Sequence, residues 1–412
     1  MTATLLASQA ILKVRYPEGK LPTILYENNP GMAIIPTATD FTGELRMVAL
    51  QTETCQGGSA DFSTAVSSLA QGKYSRFQVS RVEDFAIARI RGQALKAAVK
   101  DTGALVDLWE NEMKGASHLA MRSLAIHQYR NGTGTRGQLA AASGVATVTV
   151  TLARSGDVTN FAVGMRVQGM ATDGGTLLAS GAHQTITGID RNLGTLTAAV
   201  EWSTVITGLS NSHFLLRSGD AAATNFGVIT GYDKWIDGTS TPGTLFGLNR
   251  NVDPVRLGGR ALDAANLSMS DALIEAAALV GIEGGRPSHV FMHPRDAANL
   301  KKSLDGKVQY DRVASNVAGI SFKMFEIEGD NGTIKCVTDL NCPRNRAFML
   351  QMDTWKMHSL GPAPHMLDYD SNQFLRVSSE DAYEVRVGSY VSMYCTAPAY
   401  NIKLTNFGPA GT

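Results

Sequence analysis

KYSRFQVSRVEDFAIARIRG, residues 73–92, is the stretch on which the fold turns. Phe77 and Val79 alternate with Arg76, Gln78 and Ser80, the period of a strand with one face in solvent. A second strand-like run, GELRMVALQTET (43–54), comes before it. Between them lies CQGGSADFSTAVSSLAQG (55–72), rich in Gly, Ser and Ala. Two long arms joined by a weakly hydrophobic tip predict an extended, hairpin-like loop over 43–92. A loop of that size is unusual in a compact domain and usually has a task of its own. A disordered connector is the alternative reading.

Downstream, Leu105, Trp109, Met113, Ala116, Ala120 and Leu124 recur at helical spacing and predict a helix over about 103–130. At 1.5 Å per residue it would run for roughly 40 Å. NGTGTRG (131–137) ends it, with Gly132 as the stop. Upstream, Pro17, Pro22, Pro30 and Pro36 cut residues 1–40 into short pieces that read as an arm.

The composition changes after the helix. VATVTVTLA (145–153) places Ala146, Val148, Val150 and Leu152 on one face and threonines on the other. FAVGMRVQG (161–169), HQTITGID (183–190), GTLTAAVEW (194–202) and SHFLLRS (212–218) are further short strands with Gly and Asn turns. Together they predict a small all-β insert over 141–219. RSGD occurs at 154–157 and again at 217–220, which reads as shared turn chemistry.

The remainder mixes helix and strand, so the class is α+β. Ser268 and Asp271 form a capping-box signature ahead of ALIEAAALVG (272–281). HVFMHP (289–294) is a buried-type strand, and Pro294 opens a helix that stops near Gly306. FKMFEIEGDNGTIKCVTD (322–339) is hairpin-like around Asp330, Asn331 and Gly332. In YEVRVGSYVSMYC (383–395), Tyr383, Val385, Val387, Val391, Met393 and Cys395 share one face. Glu384, Arg386, Tyr390, Ser392 and Tyr394 take the other.

Bulk properties narrow the function. The 412 residues are enough for two or three domains. Charged residues make up 18%, which suits large subunit contacts because desolvating charge is costly. Lys plus Arg and Asp plus Glu are both 37, so the chain lacks the basic excess of a protein built to grip nucleic acid. Cys55, Cys336, Cys342 and Cys395 are scattered without a pairing motif, as in a reduced chain. The sequence holds no run of 18 apolar residues, and its start does not read as a signal peptide.

The order of parts resembles the major capsid proteins of tailed phages, the Hong Kong 97 type of fold. ENNPGMAIIPTATDFTGELRMV (27–48) looks like the arm entering that family's extended E-loop. FQVSRVEDFAIARIRGQALKAA (77–98) looks like the returning strand, and the helix at 103–130 like the spine helix. NGTGTRGQLAAASG (131–144) resembles the loop where relatives enter an inserted β-domain, and FAVGMRVQG a turn-strand element of such inserts. MSDALIEAAALV (269–280) and HVFMHPRDAANLKKSLDG (289–306) resemble the axial domain's helix, strand and helix. The end through CTAPAYNIKLTN (395–406) resembles the return strand of the peripheral domain.

The resemblance implies an N-terminal arm (1–42), an E-loop (43–92), a peripheral domain with the spine helix (93–140) and the inserted β-domain (141–219). An axial domain with part of the peripheral domain (220–382) and the return strand (383–412) complete the chain. It implies a subunit that self-assembles into hexamers and pentamers of an icosahedral shell around phage DNA, not an enzyme. An encapsulin-like nanocompartment enclosing a cargo enzyme is the alternative. Implied partners are other copies of the chain, a separate scaffolding protein, a portal and a decoration protein. Double-stranded DNA would be touched without sequence preference, and no membrane is involved. Assembly is expected in the host bacterial cytoplasm and the final location in the virion.

Candidate chemistry is sparse, and no catalytic residue, cofactor or metal is expected. Gly132, Gly134 and Gly137 fit G-x-G-x-x-G but follow a helix instead of a strand, so a hinge is the better reading. His289 and His293 lack a third ligand nearby, and Asp368 and Asp370 lack a partner motif. Some relatives cross-link a loop lysine to a neighbour's asparagine, and Lys73 is the lysine to test here. That reaction needs a desolvated amine and a nearby carboxylate, and the sequence reveals neither. Candidate intersubunit contacts are Lys73, Arg76, Phe77, Arg81, Arg89 and Arg91. An ordinary solvated strand face is the alternative for the arginines.

Overall fold

In a computed structural model, residues 73–92 form two strands belonging to different sheets. The structure describes residues 29–92, 102–221, 227–304, 313–317, 320–329, 332–368 and 375–408. Most of the predicted arm, and the turn residues Asp330 and Asn331, lie outside the described residues. The side chains of Leu105 and Trp109 do so as well.

Strand β1 (Leu45–Glu53) pairs antiparallel with β2 (Lys73–Ser80), and the short helix α1 (Phe62–Ser67) sits at the tip between them. Strand β3 (Val82–Arg91) follows after one residue but pairs with a late strand of the body instead. The reason is a change of parity. Phe77 and Val79 are buried on odd positions; Val82, Asp84, Ala86, Ala88 and Ile90 are buried on even ones. Arg81 is the residue at which the inward face changes, so one continuous strand could not satisfy both halves. The projecting hairpin therefore spans 45–80, shorter than the 43–92 expected from the sequence.

Helix α2 (Thr102–His127) crosses the inner face of β3. Ala86 and Ala88 meet Ala116 and Ala120, and these four small side chains let helix and sheet approach closely. The helix ends at His127, and Gly231 packs against the carbonyls just beyond that end. There, Tyr232 N–H donates to the Gln128 carbonyl at 2.8 Å.

The chain then makes a six-stranded sheet from β4 (Thr135–Gln138), β5 (Thr149–Thr151), β6 (Arg166–Met170), β7 (Gln184–Asp190), β8 (Thr195–Ala198) and β9 (Phe214–Arg217). Its spatial order is β4-β9-β6-β7-β8-β5. Val150 and Leu152 face its core as expected, but Ala146 and Val148 are exposed because pairing begins only at Thr149. Trp202, Ile206 and Leu209, from a short helical turn and the residues after it, complete that core.

A seven-stranded sheet follows. Its strands are β10 (Arg260–Asp263), β11 (His289–Met292), β12 (Val313–Val317), β13 (Ile320–Gly329), β14 (Gly332–Thr338), β15 (Arg346–Leu350) and, after further segments, β18 (Ile402–Thr405). The order is β10-β18-β15-β11-β14-β13-β12. Helices α3 (Met269–Ile282) and α4 (Pro294–Ser303) cover it. The Ser268 hydroxyl accepts the Asp271 N–H at 3.1 Å, the cap that the sequence predicted.

The last sheet pairs β16 (Trp355–Ser359) and β3 with the long β17 (Ala382–Cys395), all antiparallel. Both faces of its far end are covered, so Ser392 and Tyr394 are buried as well as Met393 and Cys395. A single aromatic core ties these parts together. Phe77 meets Trp235 edge-on at 4.9 Å, Tyr232 meets Trp355 at 4.6 Å, and Tyr129, Phe291 and Phe348 pack around them.

A Cβ at Gly231 would collide with the carbonyl oxygens of His127, Gln128 and Arg130. Gly231→Ala should therefore cost about 3 kcal/mol. Gly115 lies in α2 with open space around it, so Gly115→Ala should be neutral or stabilise by up to about 1 kcal/mol. Urea unfolding of the two purified variants checks the contrast.

Candidate functional site

The hairpin is held at its base and free at its tip. Val48 and Phe77 are registered partners and both are buried. Gln78 N–H donates to the Phe246 carbonyl at 2.8 Å, adding a backbone tie to the body. Beyond that base the apolar side chains lose their cover. Leu45, Met47 and Tyr74 are exposed along the arms. At the tip, Phe62, Val66 and Leu69 are 84%, 58% and 71% exposed, and no residue of α1 is buried.

The tip is nonetheless well formed. Asp61 caps α1, accepting from Thr64 N–H at 2.8 Å and from the Ser63 and Thr64 hydroxyls. Those bonds hold its carboxyl at about 2, below the usual range. Gln56 and Ala70 exchange backbone hydrogen bonds and close the loop beneath the helix. Phe62, Val66 and Leu69 follow at steps of four and three, one face of a helical turn. A formed amphipathic turn whose apolar face is left largely uncovered by the described residues is suited to contact with another chain.

The sequence-nominated residues divide. Phe77 is corrected: it is fully buried against Trp235 and is unavailable to a neighbouring subunit. Lys73 pairs with Glu53 at 2.8 Å, and both are exposed. The carboxylate that a cross-link requires is thus present, but the lysine amine is not desolvated. Arg81 donates to the Gly43 carbonyl at 3.2 Å and lies over the rings of Phe41 and Tyr390, bracing the point where the strands part. Arg89 bridges Glu380 and Glu384 within its own sheet. Arg76 and Arg91 are exposed, with no side-chain partner among the described residues.

The remaining candidates are structural. His293 caps α4 through Nδ1, and His289 bonds Ser288 at 2.9 Å. Burial lowers both imidazoles to about 4, with Lys335 beside His289 and Arg344 beside His293 adding to the effect. Asp368 is exposed, and Asp370 lies outside the described residues. Gly132 and Gly134 take positive φ directly after α2, as a hinge requires. Among the described residues, no three His, Cys, Asp or Glu side chains stand together to hold a metal. No described helix is long and apolar enough to cross a membrane.

Sequence reasoning missed a buried charge network where the six-stranded sheet joins the body. Asp220 accepts from Arg217 at 2.7 Å, Arg136 at 3.1 Å and His127 at 3.3 Å. Arg217 also reaches Asp84 on β3 at 2.7 Å, and Arg136 donates to the Ser123 hydroxyl on α2. The only sequence signal was RSGD at 217–220, which read as turn chemistry. Burial alone would raise the Asp220 carboxyl. The His127 hydrogen bond and the two guanidinium groups overcome that and hold it well below its usual range. Burial keeps His127 neutral more strongly than Asp220 favours its charged form, so its pKa is lowered.

With this geometry in place, one family comparison falls on the late half of the chain. Residues 216–372 match the family described as SU10 major capsid protein. That match spans 157 of the 412 residues, and over them the chain is similar to a major capsid protein. No curated protein matches in sequence. Among solved structures, the capsid of cyanophage A-1(L) aligns with a TM-score of 0.48 at 11% identity, covering 95% of this chain and 94% of that one. The capsid of an empty GTA particle gives 0.44 at 9%, covering 92% and 96%. Mycobacterium phage Ogopogo gives 0.43 at 9%, covering 92% of each.

Removing Asp220 leaves two buried guanidinium groups without their shared partner. Asp220→Ala is expected to cost about 3–5 kcal/mol, read from urea unfolding. Stability equal to the wild type would show that the joint does not depend on this carboxylate.

The joint should also loosen in acid. His127 and Asp220 both have folded pKa values below their unfolded ones, so their stabilisation is complete above about 6.5 and 3.9 respectively and is lost as pH falls below each. Hydrogen exchange at residues 214–220 should quicken first between about pH 6.5 and 5. His127→Gln should flatten that first step and leave the later one. His289, His293 and His358 titrate in the same direction elsewhere, which is why the readout is local.

Proposed function

We propose that the hairpin over 45–80 lies across an adjacent subunit and links the shell, with the apolar face of α1 as its principal contact. The carrying observation is the exposed set Phe62, Val66 and Leu69 on a capped helical turn. Burying a large apolar side chain is worth roughly 1.5–3 kcal/mol. Three such side chains make a modest contact, and a closed shell repeats it around every symmetry axis. Hexamers and pentamers of this chain would then enclose phage genomic DNA. The role is structural and not catalytic.

Several finer points belong to the same reading. The six-stranded insert decorates the outer face or braces neighbours, since its Thr-rich strands suit solvent. The DNA is touched lightly, in keeping with equal numbers of acidic and basic residues. Scaffolding, portal and decoration are separate proteins, and assembly takes place in the host cytoplasm.

The test is the triple variant F62S/V66S/L69S. None of the three side chains is buried, so circular dichroism and core hydrogen exchange should match the wild type. Electron microscopy should find capsomers or free subunits in place of closed shells. Wild-type yields of normal shells would refute the overlapping hairpin.

A further inference from the structure

The two RSGD turns share a backbone but not a side-chain arrangement. In each, the Asp N–H donates to the Arg carbonyl, at 3.0 Å for Asp157 and 3.1 Å for Asp220. At 217–220 the guanidinium closes on its own aspartate. At 154–157 the aspartate pairs instead with Arg130, which donates to Asp157 Oδ1 at 2.9 Å. The Arg154 guanidinium is left with no hydrogen-bond or ion-pair partner among the described residues, although the residue is only partly exposed.

Arg154 lines a cavity of ≈ 100 Å³ between the insert and the seven-stranded sheet, together with Arg130, Gln138, Asp173, Asp233 and Arg346. The other charges there are already matched. Arg130 holds Asp157, and Asp233 is shared by Arg346 at 2.8 Å and Lys403 at 3.0 Å. Asp173 accepts from the Asn131 amide and from the Thr133 and Thr135 hydroxyls. Arg154 is the surplus. Burial lowers its pKa and Arg346 beside it adds to the effect, outweighing the opposing pull of Asp157 and Asp233. A planar guanidinium presents two parallel donors that match an oxyanion. One ordered water needs only about 10–15 Å³ of such space, so the cavity has room for a tetrahedral ion.

We propose that this cavity binds a small free oxyanion of the phosphate class, held by Arg154 with Arg130 and Arg346 alongside, and that the bound ion ties the insert to the body. The small volume argues against a nucleic-acid backbone. The site does not depend on the hairpin contact.

The test is calorimetric titration of purified full-length protein with inorganic phosphate at pH 7.5, with sodium chloride at equal ionic strength as control. One saturable site per chain is expected. Arg154→Gln should weaken it about 10- to 100-fold, the loss of a charge-assisted hydrogen bond or two. In the wild type, phosphate should also slow modification of Arg154 by phenylglyoxal, read by peptide mass spectrometry, and this needs no folded variant. Three outcomes would each overturn the proposal: no saturable heat, equal binding by Arg154→Gln, or an unchanged modification rate at Arg154.

Discussion

The projecting hairpin is anchored to the body by the contact of Phe77 with Trp235. A two-stranded ribbon is marginal in water and needs a packed face to persist. Here that face is only Val48 on one strand and Phe77 and Val79 on the other, and Trp235 receives Phe77 from a short helical turn outside any sheet. Trp235 is fixed in turn: its indole N–H donates to the Met393 carbonyl of the longest strand. The anchor thus passes from hairpin to helical turn to β17. A hairpin held at its base can leave its tip apolar face bare without collapsing onto its own body. That is the mechanical requirement for reaching a neighbour.

The parts of this fold carried by local periodicity were legible in the sequence. The long helix, the capping of α3 by Ser268, the Pro294 helix start, the short strands of the insert and the alternation of β17 all follow from side-chain spacing. What was not legible depended on long-range pairing. The change of face at Arg81 occupies a single residue, and alternation simply resumes on the other parity. Tyr232, Trp235 and Trp202 sit in four-residue helical turns, too short for a period to mark a residue as buried. Phe77 was recognised as strand but assigned to an interface, because an alternating apolar residue looks the same whether its cover is its own chain or another. Only the position of Trp235 decides between them.

The low charge content also reads differently once the side chains are placed. Many arginines are spent inside the subunit. Arg136 and Arg250 are among the most deeply buried large side chains, and Arg217, Arg130 and Arg346 are committed to internal aspartates. The surface left for contact is therefore less charged than the composition suggests. That favours wide, weak, repeated contacts over a few strong ionic ones.

The two junctions of the molecule use opposite physics, and the difference bears on what each can do. The hairpin meets the body through aromatic packing, which is strong but tolerant of small rotations. The insert has its own apolar core, separate from the main one, and meets the body through buried ion pairs. Such pairs add little net stability because desolvation offsets most of their attraction, yet they accept only one arrangement of donors and carboxylates. The insert is thereby oriented sharply while its attachment stays weak enough to respond to protonation or to an ion in the seam. A shell that must close with one curvature gains from a domain set at one angle, and a seam of matched charges sets that angle more narrowly than an apolar one of equal area.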